Sequence, residues 1–172
     1  MKMNIRLDLP QNTRRHLYKE MAISFAINLV INGVIAWFAF SAKARVAMWG
    51  EHSFAGDLAI TAFILCWIVG AIFVATHRTK VNKEKLAAVE LDLPGWLPRS
   101  PILMGLLLAT IALLIYYPVT LVALLMFGFA EMDLLVFSVF KGLWAGLLAC
   151  LVIPPAMIFG LATANKAEPV SA

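Results

Sequence analysis

Four apolar runs, at residues 21–40, 58–76, 102–127 and 134–162, leave this chain few ways to fold. Crossing about 30 Å of hydrocarbon takes roughly 20 helical residues, and each run meets that length. Lipid offers no partner to a bare backbone N–H or C=O, so an apolar span closes its hydrogen bonds within a helix. The fold expected is therefore all-α: an integral membrane four-helix bundle, with the spans paired as two tandem helical hairpins. Composition agrees, since 62% of the 172 residues are hydrophobic and 14% charged. A soluble domain is nearer half apolar and a quarter charged.

Residues 1–20 are expected as a cytoplasmic N-terminal segment, 21–163 as the transmembrane domain and 164–172 as a disordered tail. The first run follows a polar stretch carrying Arg6, Arg14, Arg15 and Lys19 and lacks a small-residue cleavage pattern, so it is expected to stay as an anchor.

Basic residues set the expected orientation. Lys2, Arg6, Arg14, Arg15 and Lys19 precede the first run, and Arg78, Lys80, Lys83, Lys85 and Arg99 lie between the second and third. The first connection has only Lys43 and Arg45, and the third has none beside Glu131 and Asp133. This asymmetry predicts a multi-pass protein of the cell inner (plasma) membrane, with both termini inside. The net charge of +4 sits in connections rather than on one patch, which argues against nucleic acid. The partners expected are the lipid bilayer and either further copies of the chain, as a homo-oligomer, or a larger membrane complex to which it is accessory. A short surface helix is expected around 83–90, ahead of a Pro94-Gly95-Trp96 turn with Trp96 at headgroup level. Bends are expected at Pro118 and at Pro154-Pro155.

Small residues recur at helical spacing. Ser138, Gly142, Gly146 and Cys150 form one seam in the fourth run, and Ala62, Cys66 and Gly70 a shorter one in the second. Such seams let backbones approach closely in lipid, so the two are expected either to pack on each other or to serve a dimer. The shift that lays Asp57 on Asp133 also lays Ala62 on Ser138, Cys66 on Gly142 and Gly70 on Gly146. That match suggests a parallel duplication of a hairpin, and shared packing demands would produce the same pattern.

His16, Glu20, Ser24, Asn28 and Asn32, each four apart, make one polar track of about 24 Å on the first helix. Two readings follow: the amides bond neighbouring helices as packing glue, or they line a cleft open to the cytoplasm. Lys141 is a formal charge inside an apolar run, about 10 Å from the start of its helix, shallow enough for its stem to reach the interface. Tyr116, Tyr117, Asp57 and Asp133 are expected nearby, as an outer polar cluster that can receive its hydrogen bonds. A buried Lys141 would instead be an anion or proton site.

His16 and His77 flank the cytoplasmic ends of the first two helices, with Glu20 one turn above His16. A metal site from these three lacks an evident fourth ligand, so no metal and no cofactor is expected. The sequence has no nucleophile elbow, no H-E-x-x-H, no phosphate-cradling loop and no carboxylate pair within a span, so no catalytic residue is assigned and an enzyme is not expected.

The tandem hairpins, with Arg15-His16 and Glu20 ahead of the first helix, resemble the proteobacterial antimicrobial compound efflux transporters. The resemblance covers that short segment and the topology. The second helix lacks that family's Trp-Asn pair, and the third opens Arg99-Ser100-Pro101 without a second His/Glu motif, so no residue role is carried over. The leading expectation is a transporter or permease-like component with its solute path along the first helix. The alternative is a non-catalytic structural or regulatory subunit. A water-filled cleft reaching Asn32 would favour the first, and a dry, tightly packed bundle the second.

Overall fold

The computed structural model describes residues 10–91 and 93–164. Its elements run α1 (Gln11–Ala39), β1 (Arg45–Ala47), α2 (Phe54–Asn82), α3 (Pro101–Ile111), a π-helical turn (Ala112–Tyr116), α4 (Tyr117–Met126), β2 (Glu131–Asp133) and α5 (Leu134–Thr163). With α3, the π turn and α4 read as one span, there are among the described residues four helices long and apolar enough to cross a membrane. The chain is an all-α membrane protein with a small two-stranded clip.

α1 and α2 outgrow the apolar runs that announced them. α1 begins ten residues before 21, because Thr13 and Leu17 are buried and Leu17 packs with Val81, Ile153, Met157 and Leu161. Residues 11–20 are thus helical and continuous with the first span. α2 is capped by Ser53, whose Oγ accepts from the Gly56 amide, and carries Asp57 in its first turn and Lys80 in its last, signs that suit the helix dipole. It continues to Asn82, and the surface helix expected at 83–90 does not form. The chain turns there instead, with Glu84 at φ 56. Trp96 is exposed at its turn. Of the tail expected at 164–172, only Ala164 lies within the described residues, and it is buried.

Pro118 has no N–H to give the fourth residue back, and its ring crowds that carbonyl. The third span answers by widening into the π turn that ends two residues earlier. Pro154 and Pro155 do not interrupt α5, which stays helical through both.

α5 is the most buried span, and the packing pattern explains why. It takes α1 along one side and α2 along another, while α3 packs on α2. Each peripheral helix therefore lies on the central helix of the other hairpin. The glycine seams do this work: a Cβ on Gly142 would stand 2.5 Å from the Leu29 carbonyl oxygen, and one on Gly105 would stand 2.4 Å from that of Trp67. Gly70 meets the Gly105 Cα. The two seams thus serve different partners, α1 and α3, and not each other.

At the end where α2 and α5 begin, β1 and β2 pair antiparallel, Val46 opposite Met132. Both side chains turn inward and are buried beside Phe40, Phe54 and Phe137, whose rings pack at 5.3 and 5.8 Å. This clip ties the first connection to the third.

Candidate functional site

Two polar clusters join helices at opposite ends of the bundle. The first is built by α1 and α2. His16 and Glu20, one turn apart on α1, share a face. His77 and Lys80 share the facing side of α2. Lys80 Nζ lies 2.9 Å from His16 Nε2 and donates to Glu20 Oε1 at 3.1 Å, and His16 Nε2 is 3.2 Å from the same carboxylate oxygen. The His16 and His77 rings are 5.6 Å apart, and ligand atoms of His16, Glu20 and His77 all fall within 4.8 Å of one another. His77 is 1% exposed. Its Nδ1 lies 2.8 Å from the Phe73 carbonyl oxygen, an acceptor only, so Nδ1 carries a proton, and in the neutral ring the lone pair is on Nε2. Among the described residues that buried Nε2 has no hydrogen-bond partner.

Above this cluster the polar track continues along α1, with Ser24 and Asn32 buried and Asn28 half-buried. Their bonding is internal to the helix. Asn28 Nδ2 donates to the Ser24 carbonyl at 2.9 Å and to Ser24 Oγ at 3.2 Å; Asn32 Nδ2 donates to the Asn28 carbonyl at 3.0 Å. Whether packing glue or the lining of a cleft, as the sequence left open, these amides donate back to the preceding turn.

The second cluster lies at the clip end and is smaller than expected. Lys141, 1% exposed, points inward from α5 to Asp57 on α2, reaching Oδ1 at 2.8 Å and Oδ2 at 2.7 Å. It does not snorkel, because the facing carboxylate supplies in the interior what the interface would have supplied. Asp133 belongs elsewhere: with Glu131 it holds the exposed Arg45 of the paired strand. The Asp133 hydrogen bond, followed by the charges of Glu131 and Asp133, raises the Arg45 pKa above its ordinary value. Tyr116 joins neither group. Its hydroxyl donates to the Trp144 carbonyl at 3.3 Å, and Trp144 Nε1 donates to Thr120 at 2.9 Å, a link between the third span and α5. Tyr117 stays half-exposed with no part in these contacts.

Of the seam residues, Ser138 hydrogen-bonds back to Leu134, Cys150 Sγ approaches the Met21 carbonyl at 3.6 Å, and Ala62 and Cys66 are fully buried in the core. Sequence reasoning counted Lys80 only as a topology charge. Its i, i+3 spacing from His77 was the available signal that both face α1.

Among the described residues, three cavities of 310–370 Å³ are open grooves on the outside of the bundle, one of about 370 Å³ along α2 and the turn after it, lined by Thr76, Thr79, Lys80 and Lys83. A second, of about 330 Å³, lies between α1 and α5, lined by Leu29, Gly33, Trp37 and Leu143; the third, of about 310 Å³, lies beside the π turn, lined by Ile111, Tyr116, Leu148 and Pro155. None of the three touches Ser24, Asn28 or Asn32. Comparison of the chain with protein-family models, curated proteins and solved structures returns no match.

Proposed function

We propose that this chain is a non-catalytic subunit of the cell inner membrane, with both termini cytoplasmic, working as a homo-oligomer or as an accessory to a larger membrane complex. One observation carries the reading: the amides of Asn28 and Asn32, which a solute path would need turned toward its lumen, donate to their own helix one turn back. A donor already used by the backbone it grows from is cheap to keep in lipid and gives a passing solute little to bind. The five basic residues in each of the two inner segments support the orientation.

A second reading, transport, is favoured by the unbroken polar face from the His16–Glu20 cluster to Asn32 and by the half-exposure of Asn28. Cysteines placed singly at 24, 28 and 32, in a background lacking Cys66 and Cys150, separate the two. The subunit reading expects protection from a small water-soluble thiol reagent at all three. Reaction at all three establishes an aqueous path and gives transport the lead. Proteins recovered with the chain in mild detergent then distinguish self-assembly from a larger partner.

A further inference from the structure

The α1–α2 cluster has one feature that a structural salt bridge leaves unexplained. His77 Nε2 is buried, without a hydrogen-bond partner among the described residues, within a few ångströms of two further lone-pair donors. Burying an acceptor unsatisfied is costly, and native structures seldom do so without a compensating role. Its Nδ1–H is committed to a backbone carbonyl, the arrangement that orients a metal-ligating histidine and fixes its tautomer.

We propose that His16, Glu20 and His77 form a binding site for a borderline divalent transition-metal ion of the Zn²⁺ class, which clamps α1 to α2. Two imidazoles and one carboxylate are a ligand set suited to such ions, and a fourth tetrahedral position is left for water. Ligands around Zn²⁺ stand roughly 3.3 Å from one another at bond lengths of about 2.0–2.1 Å. His16 Nε2 and Glu20 Oε1 are already 3.2 Å apart, and bringing the rest of the set from a spread of up to 4.8 Å to that spacing asks for an approach of at most about 1.5 Å. The Lys80 ammonium is bonded to two of the three ligand atoms, His16 Nε2 and Glu20 Oε1, and so competes with an ion for them. Its side chain is 26% exposed, so it can swing outward as the ion enters. Lys80 is thus a built-in competing cation that holds the ligands together in the metal-free state.

The test uses the tag-free full chain in detergent, with Zn²⁺ competed against a chromophoric chelator and Co²⁺ as a spectroscopic probe. The expected result is one ion per chain, with the intense visible bands of tetrahedral Co²⁺. His77→Ala and His16→Ala should each abolish stoichiometric binding. Lys80→Gln should tighten it at least about tenfold, since it removes a positive charge from contact distance. His16 is partly exposed, so His16→Ala and Glu20→Gln carry the test if circular dichroism shows His77→Ala unfolded. The proposal is overturned if wild type and Lys80→Gln both fail to bind at stoichiometry, if binding survives both histidine substitutions, or if Lys80→Gln binds no more tightly than wild type.

Discussion

Removing Asp57 should unfold this bundle more effectively than removing both members of its ion pair. Lys141 is 1% exposed, and the contact that meets its ammonium is the Asp57 carboxylate at 2.7–2.8 Å. Asp57→Ala strands that charge in a low-dielectric interior, a loss of about 3–5 kcal/mol. Asp57 also lies in the first turn of α2, where an acid contributes about 0.3–1 kcal/mol against the helix dipole. The single substitution should therefore cost roughly 3–6 kcal/mol. The double variant Asp57→Leu, Lys141→Met replaces the pair with apolar volume and avoids two desolvated charges. It should be neutral or more stable by about 1–4 kcal/mol, less the small dipole contribution. Equilibrium unfolding in mixed micelles, followed by tryptophan fluorescence, gives both numbers. The reasoning fails if Asp57→Ala lies within about 1 kcal/mol of wild type, as it would if Lys141 reached water once its partner was gone. It fails equally if the double variant is as unstable as the single.

Gly142→Ala should cost roughly 1–3 kcal/mol by forcing α1 and α5 apart, because the new Cβ would meet main-chain oxygen that cannot rotate away. Gly95→Ala, with nothing within 4 Å, should leave thermal stability unchanged in the same assay. A cysteine at Glu51 should react with an impermeant reagent applied outside the cell and one at Lys85 should not; the reverse pattern would invert the proposed orientation.

Much of this protein is set by local chemistry and is therefore readable in the sequence. Span number follows from apolar length, because lipid compels helices. The polar face of α1 follows from four-residue spacing alone. Three features needed the third dimension. The extension of α1 to Gln11 depends on Leu17 finding Val81 and α5, contacts far along the chain that no window of α1 contains. The clip of β1 on β2 is only three residues deep on each side, too short for alternation to register, and exists because two connections meet at one end. The pairing of charges was decided in the same way. Asp57 and Asp133 were both available to Lys141 by depth, but packing α2 on α5 placed Asp57 against it and left Asp133 beside Arg45. Periodicity tells which face of a helix is polar; which neighbour that face meets depends on the order in which helices pack, and that order is fixed by contacts distributed over the whole bundle.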